Sequence, residues 1–117
     1  MKISRFETND RSSRAVIHNQ TLYLTGQVAE DPNANITGQT QSMLDKVEDL
    51  LNTYNSSKEH LLSATIYLKS MDDFADMNAV WNSWVPKGFA PVRACVRASM
   101  AREALLVEIS VIAATAC

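Results

Sequence analysis

At 117 residues the chain is long enough to close one hydrophobic core and too short for two ordinary domains, so residues 1–117 are read as a single domain. A composition of 46% hydrophobic and 21% charged residues, with three glycines and three prolines, excludes disorder and low complexity. The formal net charge of -2 argues against a general attraction to nucleic acid or anionic lipid, although a local basic patch is compatible with it. No stretch approaches the roughly 18 apolar residues of a membrane helix. The first ten residues lack the apolar core of a secretion signal, and a cytoplasmic location is expected. Of the two cysteines, one lies in a strand pattern and one at the last position, which makes no disulfide framework.

In chain order, residues 2–7 suit a short edge strand. Residues 15–18 and 22–25 flank Asn19-Gln20-Thr21, a hairpin signal in which asparagine accepts the left-handed conformation. Gly26 ends or bulges the second strand, and Asp31-Pro32-Asn33 opens a polar loop. From 37 to 54, Thr40, Met43 or Leu44, Val47, Leu50 or Leu51 and Tyr54 recur at helical spacing, and Asn55-Ser56-Ser57 closes that helix. Residues 62–68 alternate as a strand, with Leu62, Ala64, Ile66 and Leu68 on one face. Ser70-Met71-Asp72-Asp73 resembles a capping box. Phe74, Met77, Val80 or Trp81 and Trp84 then trace a second helical stripe, which Pro86 and Gly88 stop.

The last third holds two alternating runs, 91–97 and 105–114, separated by a turn-length connection and predicted to be an antiparallel neighbouring pair. Arg93, Cys95 and Arg97 share one face of the first run, and Leu106, Glu108, Ser110 and Ile112 one face of the second. The order predicts an α+β domain with two helices on one face of a mixed six-stranded sheet. If parities align, the opposite face gathers Ser63, Thr65, Tyr67, Arg93, Cys95, Glu108 and Ser110, a polar pocket within a subunit interface. Ionised groups inside apolar strands need a partner or a task, since desolvating a charge costs several kcal/mol, roughly. From spacing alone, a cross-strand Arg93–Glu108 ion pair and a ligand-binding arginine are equally open.

Thr25-Gly26-Gln27, Gln39-Thr40-Gln41, Asp72-Asp73-Phe74 with Asn78, Pro91-Val92-Arg93-Ala94-Cys95-Val96 and Val107-Glu108-Ile109 occur in an order and spacing that resemble the RidA/YjgF family of enamine/imine deaminases. That family is also labelled endoribonuclease L-PSP-like. The resemblance implies a chorismate-mutase-like fold and a homotrimer whose sheets form a central barrel, with clefts between subunits. It further implies hydrolysis of reactive 2-enamino and 2-imino acids, such as 2-aminoacrylate and 2-iminopropanoate, to a 2-keto acid and ammonia without metal or organic cofactor. Carried over by position, Arg93 matches the arginine that clamps the substrate carboxylate, suited to it by a planar fork of donors. Cys95 matches a cysteine whose backbone lines the pocket, Glu108 a glutamate that orients water, Thr25 a pocket hydroxyl, and Asn78 a supporting helix asparagine.

Two departures are visible. Many relatives carry a pocket tyrosine where this chain has Asp10-Arg11-Ser12-Ser13-Arg14, and a second glutamate where it has Ser110. Tyr23, Trp84 and Phe89 are the candidates to line the cleft instead. Trp81 and Trp84 with Phe74 are expected to pack the helix, Arg97 to pair across a subunit interface in preference to serving as a second anion contact, and Cys95 to be a small buried thiol rather than a nucleophile. His18 and His60, with no spaced Cys or carboxylate set, make no metal signature. The expected partners are a small imino or keto acid and further copies of the chain, with no membrane and no nucleic acid. A binding module that holds 2-keto acids without turnover is the alternative function. RNA cleavage has weak support, because basic residues are not interleaved with aromatic ones.

Overall fold

The structure is a computed structural model that describes residues 1–116. Its strands are β1 Ser4–Phe6, β2 Ala15–His18, β3 Thr21–Leu24, β4 Gln27–Val28, β5 Leu61–Leu68, β6 Val92–Arg97 and β7 Val107–Ala114; its helices are α1 Ile36–Thr53 and α2 Phe74–Trp84. The strands form one seven-stranded sheet in the order β1-β2-β3-β7-β5-β6, with β4 also paired to β7. The extra strand relative to the expected six is β4, two residues too short to show as an alternating pattern.

Local chemistry explains the element ends. Asn19 and Gln20 both take positive φ, 52° and 60°, so β2 and β3 are joined by a two-residue turn whose twist matches the strands. The Asn35 side chain accepts from Gly38 N at 2.9 Å and caps α1. At the other end Asn55 (φ 62°) reverses the backbone, and Ser56 N closes on Leu51 O at 2.8 Å. Ser70 Oγ accepts from Asp72 N, and a 3-10 turn over Met71–Asp73 leads into α2. Met43, Leu44, Val47 and Leu51 of α1 and Met77, Val80, Trp81 and Trp84 of α2 bury against Ala64, Ile66, Leu68, Val107, Ile109 and Val111. Each side chain of this kind contributes about 1.5–3 kcal/mol.

Two expectations about the last strands are corrected. β6 and β7 are not neighbours, because β5 lies between them, parallel to β6 and antiparallel to β7. The cause is α2, whose apolar stripe must lie on the sheet between its flanking strands. That makes β5-α2-β6 a parallel crossover, and the 98–106 segment then passes the end of β5 to reach β7. The face assignment of β6 also reverses. Arg93 aligns with buried Ala64 and Cys95 with buried Ile66, which places both on the helix side, whereas Glu108 aligns with Tyr67 on the open side. On this edge strand it is Val92 (74% exposed) and Val96 (43%) that look outward, so apolar content misjudged the parity.

Bulges interrupt two strands. Leu62 is extruded between the Leu61–Ala113 and Ser63–Ile112 pairs and is exposed, which overturns its assignment to the buried face. Between the Tyr23–Ile112 and Gln27–Ile109 pairs the β3–β4 edge carries one residue more than β7, so Thr25-Gly26 stands out from the ladder as a bulge.

Candidate active site

Arg93 is half-buried at the start of β6, where its guanidinium meets α2. Nη1 donates to Asn78 Oδ1 at 2.7 Å, and the group lies 5.4 Å over the Trp81 ring. Asn78 and Trp81 are three residues apart and therefore share a helix face. Among the described residues Arg93 forms no ion pair, and the cross-strand pair with Glu108 does not exist: the two project from opposite sides of the sheet. A neutral amide and an aromatic ring orient the guanidinium while leaving its charge for an anion.

Cys95 follows two residues later on the same face, a free thiol packed against the core. Burial pushes its thiol up, and the nearby Arg93 charge only partly opposes this, so it is a poor nucleophile.

The second cluster lies on the open face. Glu108, half-buried on β7, has its carboxylate against Gly26: a Cβ at that position would overlap Glu108 Oε2. A methyl group here would displace the flexible end of Glu108 rather than strain the backbone, so the glycine leaves room for the carboxylate at this spot. Thr25 is exposed beside it on the bulge, its amide bonded to Arg14 O at 2.9 Å. Among the described residues Glu108 forms no ion pair. Around it the open face presents Tyr23, Val92 and Val96 with half-buried Val28, Leu106 and Ile112.

The five anticipated residues thus fall into two groups, Arg93, Asn78 and Cys95 at the β6–α2 edge and Thr25 and Glu108 at the bulge. Trp81 and Gly26 were missed as site residues. Trp81 was read as packing, which its 5% exposure also bears out, though its spacing from Asn78 carried the signal. Of the three aromatic candidates, Trp84 is in the core, Tyr23 is on the open face, and Phe89 is exposed on the turn before β6, where Gly88 has φ 86°. Among the described residues no group of three or more His, Cys, Asp or Glu is placed to hold a metal. Among the described residues no helix is long and apolar enough to cross a membrane.

The architecture defines the class first: an α+β protein with a seven-stranded mixed sheet, helices on one face, and charged groups at one edge and on the open face. The family model described as Endoribonuclease L-PSP matches residues 2–115. The RutC family protein YoaB of Escherichia coli K12 is 42% identical over 114 residues, 97% of this chain and 99% of that protein. A RutC family protein of Haemophilus influenzae is 38% identical over 97% of this chain and 98% of its own. Among solved structures, NMB1025 of Neisseria meningitidis, a member of the YjgF protein family, superimposes with a TM-score of 0.94 at 40% identity, covering 100% of this chain and 98% of that one. A protein of Pseudomonas aeruginosa superimposes at 0.93 with 38% identity over 97% and 99%. The chain belongs to the YjgF/RidA family.

Proposed function

We propose that the protein is a hydrolytic deaminase of small 2-enamino and 2-imino acids, yielding a 2-keto acid and ammonia. The observation that carries this reading is an arginine held by a neutral amide at 2.7 Å and an aromatic ring, with no ion pair among the described residues. Such a group binds a carboxylate, each charged hydrogen bond contributing about 1.5–3 kcal/mol. Arg93 fixes the substrate carboxylate so that the C=N carbon faces a water oriented by Glu108. Water adds its oxygen to that carbon of the protonated imine as the C=N π pair moves to nitrogen, and passes one proton to the carboxylate. That proton moves to the carbinolamine nitrogen. The hydroxyl gives its proton to the carboxylate as the C–N bond breaks, and the departing ammonia takes it up as ammonium, leaving the ketone. A protonated imine is already electrophilic, so positioning and a modest base suffice.

Arg93 and Glu108 leave the sheet on opposite faces, so a ligand of a few atoms cannot touch both within one protomer. The reading therefore requires two copies: the β6–α2 edge of one protomer meets the Thr25–Gly26 bulge and Glu108 of the next, in a homotrimer. The apolar residues of the open face support such packing. A reducing cytoplasm suits the free Cys95 thiol.

The test couples an amino-acid oxidase or a serine/threonine dehydratase to the protein and follows imine decay. Acceleration that disappears in Arg93→Ala, with the trimer intact by sedimentation, is expected. Acceleration that survives in the variant refutes the assignment. One observation favours a second reading: the exposed loop before β2 carries no aromatic residue, which suits a 2-keto acid binder without turnover. Saturable keto-acid binding without ammonia release would establish it.

A further inference from the structure

A hollow of about 430 Å³ opens at the far end of β6 from Arg93, walled by Lys69, Arg97, Ser99, Met100, Arg102 and Glu103. We propose that it binds a phosphate dianion, free or carried on a small metabolite. Three cations face one carboxylate there, an excess of two positive charges on a chain whose net charge is -2. Lys69 Nζ is bound to Glu103, at 2.6 Å to its carbonyl oxygen and 3.0 Å to Oε1. Arg97 and Arg102 both line the cavity and form no ion pair among the described residues. Like charges held together without a counter-ion repel, and a doubly charged oxyanion relieves that repulsion while offering acceptors to both planar donor forks.

The walls are fixed from several sides. Ala98 N donates to Leu68 O at 2.9 Å and Lys69 N to Leu106 O at 3.0 Å, tying both ends of the 98–106 segment to the end of β5. From α1, the fully buried Gln39 reaches the same segment, donating to Ala104 O at 3.0 Å and accepting from Leu106 N at 2.9 Å. The backbone that carries Arg97 and Arg102 is thus ordered before any ligand arrives, which lowers the entropy cost of binding. The volume falls in the range of small-molecule sites, roughly 300–1,000 Å³. It exceeds what inorganic phosphate fills and leaves room, against Met100, for a short organic portion. The site is distinct from the carboxylate clamp, since four residues of extended strand separate Arg97 from Arg93 by about 13 Å.

The experiment titrates the ¹⁵N-labelled full chain with inorganic phosphate and, separately, with glycerol 3-phosphate at constant ionic strength. The expected result is saturable amide shifts centred on Lys69 and residues 97–103. Arg102→Gln and Arg97→Gln, both at exposed positions, should each weaken binding about tenfold or more. Arg93→Gln should retain it. Tighter binding of the ester than of the free ion assigns the site to a phosphorylated metabolite, and the reverse assigns it to phosphate itself. Shifts centred on Arg93 and Cys95, shifts that do not saturate, or unchanged affinity in the Arg97→Gln/Arg102→Gln double variant overturn the proposal. Imine turnover measured in parallel reports on Arg93 and Glu108 alone, so the two readings fail separately.

Discussion

Replacing Asn78 by aspartate tests the clamp while keeping the oxygen to which Arg93 donates. The side chains are isosteric, so the 2.7 Å contact with Arg93 Nη1 persists, now as an ion pair. Two unit charges about 4 Å apart attract by about 4 kcal/mol at an effective dielectric constant of 20. Both groups are half-buried, and solvent screening reduces the net gain to about 1–2 kcal/mol. A ligand carboxylate must then compete with an internal one, and its affinity falls by roughly the same amount, about 5- to 30-fold. Because the lost interaction is made equally in ground and transition states, the change should appear in KM, with kcat altered by less than about threefold. Trp81, 5.4 Å beneath the guanidinium, serves as a fluorescence reporter for 2-keto acid titration, and coupled imine decay gives KM and kcat. The variant should be as stable as the parent or slightly more so in urea. A folded Asn78→Asp protein with unchanged KM and keto-acid affinity would show that Arg93 does not bind the carboxylate.

Gly26→Ala places a methyl group where the Glu108 carboxylate lies, and the flexible end of that side chain can swing away. Stability should change by less than about 1 kcal/mol, whereas kcat should fall about 100-fold or more, the usual range for a lost general base being about 100- to 10,000-fold; full activity would remove Glu108 from the mechanism. Gln39→Met keeps the volume of a fully buried side chain while deleting its bonds to Pro32 O, Ala34 O, Ala104 O and Leu106 N. With the carbonyls partly rehydrated and one amide left unpaired, urea unfolding at fixed protein concentration should show a loss of about 2–4 kcal/mol, and a loss under about 1 kcal/mol would refute it. The Tyr54 phenol is raised above its ordinary 10.0 by burial, with the charge and hydrogen bond of Glu7 adding to the effect. The unfolded chain therefore loses this proton first, so its contribution is complete below pH 10.0 and is lost as pH rises through the folded value. Tyr54→Phe should flatten the decline of the urea midpoint as pH rises above 10.0, and an unchanged slope would refute the assignment.

The helices and most strands were legible because their signals are local. Period defines α1 and α2, a side-chain cap adds to α1, and Asn19 anticipated a left-handed turn. The residues of the proposed site were legible as types, an arginine and a glutamate inside apolar strands, whereas Gly26 was read only as the end or bulge of a strand. What failed was anything that depended on which strand lies beside which. Adjacent in sequence, β6 and β7 looked like a hairpin, and nothing local reveals that β5 separates them. The parity of β6 failed for a related reason. On an edge strand the outward apolar residues have no cover within the protomer, so hydrophobicity does not report the core side, as exposed Val92 and Val96 show.

The amino-acid sequence by itself therefore determined the element types and the α+β class, and it singled out the residues from which the proposed site is built. Only the tertiary structure decided that Arg93 rests on Asn78 and Trp81, that Glu108 lies over Gly26 on the other face, and that Gln39 pins the segment leading into β7. Secondary structure follows from propensities and periods over a few residues. Pairing order and facing follow from how distant segments bury a common surface, and that is settled only when the whole chain packs.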